Sequence, residues 1–256
     1  MSAPTSAAVV YTVGDLHVEV HGQGRPVLLI HGNSGDLHYF DRIVPILAQV
    51  RRTIAMDSRG QGLSARGEGP LTIARMADDA ADVIRSLGNG TDAAPDPFDI
   101  VGFSDGANVA MLLALRHPEL VRSLVLNSGN IDVRGVRPGF LWSVGFVDFV
   151  LRMRARVLPR SRLSHALGRK HEQLQLMLVP PGIARSDLAR IAVPTLVLTG
   201  SRDVVLKSHT RMIAGTIPDA QRRVVRGATH LLLREKPAAA AAMILEFLDT
   251  GVAPEV

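Results

Sequence analysis

The 256-residue chain contains no cysteine. That excludes a disulfide framework, a thiolate metal site and a cysteine nucleophile, so any covalent chemistry must fall to another residue type. Long apolar runs are missing as well: no stretch reaches the roughly 18 to 20 residues of a membrane-spanning helix. The opening MSAPTSAAVVYTVGD has neither the basic start nor the apolar stretch of a secretory signal. A cytoplasmic protein with no membrane partner is expected. Acidic residues fall short of basic ones, 24 against 29, giving a formal charge of +5. The arginines are scattered, however, and no recognised nucleic-acid-binding motif accompanies them, so no nucleic-acid partner is expected.

Hydrophobic residues make up 46% of the chain, enough for the core of one large α/β domain with a small insertion. Short β-rich runs alternate with helical ones, the pattern of a mostly parallel sheet covered by helices on both faces. Eight strands are predicted, at Val9–Val13, Leu16–His21, Val27–Ile30, Arg52–Met56, Phe98–Val101, Ser123–Asn127, Pro194–Thr199 and Arg222–Val225. The first two, joined by Gly14-Asp15, read as a hairpin. Helices are predicted at Phe40–Ala48, Ile73–Leu87, Gly106–His117, Lys207–Thr216 and Pro237–Leu248, with Gly88 to Pro97 as a polar loop.

The alternation breaks after the sixth strand. Residues 131–186 hold no convincing strand and read as an inserted helical cap on a core of residues 1–130 and 187–256. This insertion carries Phe140, Trp142, Phe146 and Phe149. It also carries Arg134, Arg137, Arg152, Arg154, Arg156, Arg160, Arg162, Arg169, Lys170 and Arg185 against only Asp132, Asp148 and Glu172. Phe140, Trp142 and Phe146 are the candidates to line a substrate pocket.

The most informative stretch is PFDIVGFSDGANVAMLLALRHPE, from Pro97 to Glu119. If a strand ends near Val101 and a helix begins near Gly106, Ser104 sits on the sharp turn between them, its hydroxyl projecting from the carboxyl end of the sheet. Gly102 and Gly106 lack Cβ and let strand and helix pass closely. A serine hydroxyl is a poor nucleophile until a base takes its proton, so this reading demands a histidine and an acid downstream. PTLVLTG runs into Asp203, and RRVVRG runs into His230. The backbone N–H groups of Asp105 and of Asn33, in the loop His31-Gly32-Asn33-Ser34-Gly35, are the candidate oxyanion donors. His31 reads as structural, and His165, His171 and His209 show no metal-ligand spacing, so no metal is expected.

With these motifs in order, the chain resembles the α/β-hydrolase superfamily. The HG loop, DSRGQGLS at Asp57–Ser64, GFSDG, RHPELVRSLVLNS, PTLVLTGSRD and GATH all correspond, over nearly the whole chain outside the insertion. Ser, Asp, His is also that fold's chain order. The resemblance implies an eight-stranded α/β-hydrolase fold, a Ser104–His230–Asp203 triad, with Asp132 as the alternative acid because some relatives take it from after the sixth strand, Asn33 and Asp105 amides as oxyanion hole, and hydrolysis through an acyl-enzyme without a cofactor. Serine at the nucleophile position argues against the superfamily's dehalogenases and epoxide hydrolases, which use aspartate there. The expected activity is cleavage of a small or medium carboxylic ester. Lactone, amide or C–C bond hydrolysis, cofactor-free haloperoxidase or perhydrolase chemistry, and ligand binding without turnover stand as alternatives. Asp105 reads first as an acid favoured by the helix dipole. The Ser-Asp-Gly elbow is also similar to valacyclovir-hydrolase-like amino-acid-ester hydrolases, where that acid would bind a substrate ammonium, although the basic insertion opposes a cation.

Overall fold

The computed structural model describes residues 8–88, 90–91, 94–157 and 162–253. The strands are β1 (Val9–Val13), β2 (Leu16–His21), β3 (Pro26–Ile30), β4 (Arg52–Met56), β5 (Gly90–Thr91), β6 (Ala94–Pro95), β7 (Phe98–Phe103), β8 (Val121–Asn127), β9 (Thr195–Gly200) and β10 (Ala220–Val225). Eight of them form one sheet in the order β1-β2-β4-β3-β7-β8-β9-β10, the eight-stranded α/β-hydrolase sheet expected. β2 runs antiparallel to β1 and to β4, and every later pairing is parallel. β5 and β6 pair only with each other, within the stretch read as a loop.

The central strands are apolar throughout because neither face meets water. Every residue of β3, β7 and β9 is buried, as expected for parallel strands covered on both sides. One face packs on α2 (Ile73–Leu87), α3 (Asp105–Arg116) and α7 (Lys207–Thr216), with Ile84, Val109, Leu113 and Ile213 in its core. The other packs on α9 (Pro237–Thr250) and on the segment between β3 and β4, with Phe40, Leu47, Ile244 and Phe247 in its core. Helix α2 shows how local and tertiary signals agree. The Thr72 side chain accepts a hydrogen bond from Arg75 N, capping the first turn, while Met76, Ala80, Val83 and Leu87 are buried on one face.

The helix read at Phe40–Ala48 is shorter in the structure. A 3₁₀ turn spans Leu37–Phe40, and α1 covers only Val44–Leu47. Pro45 lies in its first turn; a helix begun at Phe40 would place that proline, without its N–H, in the interior. Between β8 and β9 lie α4 (Pro138–Val157), α5 (Arg162–Leu178) and the single turn α6 (Arg185–Leu188), and α4 packs along α5. Another short helix, α8 (Leu232–Glu235), follows β10. Arg160 lies outside the described residues, as do the side chains of Arg156, Arg162 and His165. Among the described residues no helix is long and apolar enough to cross a membrane.

Candidate active site

The carboxyl ends of β3, β7, β9 and β10 open onto one region, and the loops leaving them carry Asn33, Ser104, Asp203 and His230. Ser104 holds φ 54° and ψ −118°, outside the regions comfortable for an L-residue. The surroundings enforce that geometry. A Cβ on Gly102 would overlap the Gly106 carbonyl, and one on Gly106 would overlap the Ile30 carbonyl, so β7, β3 and the start of α3 approach more closely than any side chain permits.

Three side chains from three loops then form a chain of hydrogen bonds. His230 Nε2 lies 3.1 Å from Ser104 Oγ, and His230 Nδ1 lies 2.8 Å from Asp203 Oδ1. An ionised carboxylate can only accept, so Nδ1 carries the imidazole proton and Nε2 is left to accept from the serine hydroxyl. Asp203 is 3% exposed. Burial works against its ionisation, but hydrogen bonds from His230, Ser128 and the Val205 amide outweigh that and hold its carboxyl down at about 2. Its second oxygen accepts from Ser128 Oγ at 2.5 Å and Thr199 Oγ1 at 2.9 Å.

Asp132 does not reach this group. Its carboxylate is taken up by the Arg134 guanidinium at 2.7 Å and the Arg134 amide, which hold it at about 2. His31 is likewise committed. Nε2 accepts from Ser58 N at 3.0 Å and Nδ1 donates to Gly32 O at 2.7 Å, tying the loop after β3 to the one after β4. His209 Nε2 accepts from Ile131 N, and His171 pairs with Asp148. Among the described residues no cluster of three histidine or carboxylate side chains is arranged to hold a metal ion.

The Asn33 side chain meets the carboxylate of Asp105, the residue after Ser104. Asn33 Nδ2 donates to Asp105 Oδ2 at 3.0 Å, and Asn108 Nδ2 donates to Asp105 Oδ1 at 3.2 Å. Burial pushes the Asp105 carboxyl up, and these two amides oppose the rise. Among the described residues neither the Asn33 nor the Asp105 backbone N–H has a protein acceptor. Both are free to donate toward a reacting oxygen. Ser104, Asp105 and His230 border a cavity of about 30 Å³ closed by Asn130, Val136, Phe140, Leu141, Met177, Val204 and Val205. This is far below the roughly 300 Å³ at which ligand pockets commonly begin.

A family model for the alpha/beta hydrolase fold matches residues 25–152. The chain belongs to that family. It is 30% identical, over 91% of its own length and 94% of the relative's, to the Azorhizobium caulinodans protein named "Putative carbamate hydrolase RutD". It is 28% identical to the 2-hydroxymuconate semialdehyde hydrolase of a Pseudomonas species, over 89% of this chain and 88% of that one. Among solved structures, a serine hydrolase involved in carbazole degradation, the CarC enzyme, superimposes with a TM-score of 0.73 at 25% identity, over 95% of this chain and 99% of that one. The protein is thus a hydrolase of the α/β-hydrolase family.

Of the three aromatics expected to line a substrate pocket, one borders the cavity beside Ser104. Phe140 borders the cavity, but Trp142 is 80% exposed and Phe146 68% exposed. All three stand on α4, and the helical rotation that turns Phe140 and Leu141 inward turns Trp142 and Phe146 outward. Sequence reasoning also missed Ser128, Thr199 and Gln173. Gln173 is the more informative omission. Its backbone carbonyl accepts from Asn33 Nδ2 at 2.6 Å, while its side chain meets Ser34 Oγ and donates to Gly60 O at 2.8 Å. Helix α5 is thereby fastened to the loops after β3 and β4, and an ion pair between Glu172 and Arg66 lies beside the junction. Ser128 does have a local signal, its position directly after β8, but nothing in the sequence connects it to Asp203.

Proposed function

We propose that the protein is a serine hydrolase that cleaves a small carboxylic ester through an acyl-enzyme. The continuous hydrogen-bonded path Ser104–His230–Asp203, with its serine held on a strained turn, carries this reading. In it, Ser104 Oγ attacks the ester carbonyl as His230 Nε2 takes the hydroxyl proton, and Asp203 orients the imidazole and balances its new charge. The Asn33 and Asp105 backbone N–H groups, free of protein acceptors, bind the oxyanion of the tetrahedral intermediate. The protonated His230 delivers its proton to the leaving alcohol, forming the acyl-enzyme. Water then attacks, His230 takes its proton, and collapse returns that proton to Ser104 as the carboxylic acid departs.

Residues 131–186 act in this reading as a cap, with Phe140, Leu141 and Met177 forming the ceiling of the acyl pocket. The closeness of these side chains to Ser104 and His230 leaves little room and favours short acyl groups. A second reading, a small carbamate as substrate, is supported by the name of the relative that is 30% identical. The chemistry is unchanged except that the acyl group is a carbamoyl.

The test is stopped-flow hydrolysis of p-nitrophenyl acetate, butyrate, octanoate and N-methylcarbamate by wild type, Ser104→Ala, His230→Ala and Asp203→Asn. We expect turnover of at least one substrate, a loss of several orders of magnitude in the serine and histidine variants, and acetate preferred to octanoate. An inert wild type, or an unimpaired Ser104→Ala, would defeat the proposal. Faster turnover of the carbamate than of every ester would select the second reading.

A further inference from the structure

Helix α4 has two apolar faces, and the protein's core uses one of them. Val144 and Asp148 are buried and Phe140, Leu141 and Leu151 partly buried on the inner side. On the opposite side Trp142, Phe146, Phe149 and Met153 follow at steps of four, three and four residues, which places them in one stripe along the helix. They are 80%, 68%, 53% and 42% exposed. Leu141, Trp142, Gly145 and Phe146 frame a shallow apolar groove along it. Single exposed apolar side chains need no explanation, whereas a contiguous stripe of this length calls for a partner.

Charge identifies the kind of partner. Arg152 and Arg154, both exposed, fall on either side of the stripe, and Arg137, Arg169 and Lys170 are exposed elsewhere on the same segment. The segment's three acids are occupied within the protein: Asp132 by Arg134, Asp148 by His171 and Glu172 by Arg66. Its positive surplus therefore faces outward. A second copy of this chain is the weaker match, because two-fold pairing along α4 would oppose one arginine rim with another.

We propose that this outer face of α4 docks on an anionic lipid surface. The aromatic stripe enters the boundary between headgroups and acyl chains, and the flanking arginines engage lipid phosphates. Tryptophan suits that boundary, having an apolar ring and one polar N–H. Docking brings to the lipid surface the helix whose inner side closes the cavity beside Ser104. The inference does not depend on the hydrolytic reading above, since it uses none of the residues assigned to chemistry.

Trp142 is the only tryptophan, so its emission reports on this face alone. The full chain is titrated with vesicles of phosphatidylcholine, with or without phosphatidylglycerol, and binding is read by Trp142 emission and co-sedimentation. A blue shift and co-sedimentation with the phosphatidylglycerol vesicles, and at least about tenfold weaker partitioning onto phosphatidylcholine alone, are expected. Arg152→Glu combined with Arg154→Glu should weaken partitioning by at least about tenfold. Phe149→Ser combined with Met153→Ser should remove the blue shift, and circular dichroism establishes that both double variants remain folded. Ser104→Ala should bind like wild type, which separates this proposal from the catalytic one. The proposal is overturned by an unshifted emission with phosphatidylglycerol vesicles, by equal binding to both lipids, or by full binding of the charge-reversed variant. A blue shift that grows with protein concentration without lipid overturns it too and makes a second copy the occupant.

Discussion

Asp203 combines near-complete burial with a full negative charge, and that combination survives because every partner of its carboxylate is a donor. Ser128 supplies the shortest of the side-chain hydrogen bonds that reach it, 2.5 Å to Oδ2. Ser128→Ala should therefore cost about 1.5–3 kcal/mol in a urea melt, the range for a hydrogen bond to a charged group, and lower kcat by loosening the carboxylate that orients His230. A melt indistinguishable from wild type would show that Thr199 and the Val205 amide suffice. The pH dependence follows from the direction of the Asp203 shift. Its carboxyl is held at about 2 against an ordinary aspartate value of 3.8, so the folded state favours the ionised form. The associated stability, on the order of 2 kcal/mol, is fully present above pH ~4 and is lost as the pH falls toward 2. Asp203→Asn cannot titrate. In thermal melts across acid pH, the stability gap between wild type and this variant should narrow from pH ~4 to pH ~2; a gap of constant size would contradict the assigned pKa.

At the scale of elements, the junction between α5 and the core decides how the cavity is closed. The Gln173 side chain meets Ser34 and Gly60, in the loops after β3 and β4, and only its backbone carbonyl bonds Asn33, so Gln173→Ala removes two of the three ties and should loosen α5 over the site. The octanoate-to-acetate ratio of kcat/KM should rise in that variant, and an unchanged ratio would mean that α5 is held by its packing alone. Gly168, also on α5, would meet nothing with an added Cβ, so Gly168→Ala should stabilise by about 0.5–1 kcal/mol without altering that ratio. These elements also mark how far the sequence can be read. Ser104, Asp203 and His230 are legible because each follows a recognisable strand within a few residues, and a strand end fixes where the next side chain emerges. Gln173 and Ser128 are not, because their bonds join residues far apart in sequence without any shared local pattern. That Trp142 and Phe146 stand away from the cavity beside Ser104 was illegible for a different reason. The aromatic cluster was visible, but which side of α4 faces inward is settled by packing against α5, and a cluster with apolar residues on both faces leaves the helix phase open.

At the scale of the whole molecule, β3, β7 and β9 could be read because parallel strands buried on both faces leave unbroken apolar runs, whereas β1 and β2 are legible as β-rich runs joined by the short Gly14-Asp15 turn. Charge distribution is the other property with a reach that long. Residues 131–186 carry ten basic and three acidic side chains, so the other 200 residues carry nineteen basic and twenty-one acidic. The molecule is therefore an almost neutral, slightly acidic body with a strongly basic segment whose residues close the cavity at Phe140 and Met177. Such an asymmetric field concentrates anions near the site and does nothing for neutral solutes, and its reach shrinks with the Debye length, from about 30 Å at 0.01 M salt to about 8 Å at 0.15 M. Two p-nitrophenyl esters of equal acyl length, one ending in a methyl and one in a carboxylate, separate this effect from pocket size. The KM of the carboxylate ester should rise several-fold across that salt range while that of the neutral ester stays level. Parallel behaviour of the two esters would confine the basic segment's influence to contacts on its own surface and remove any role for it in selecting substrate.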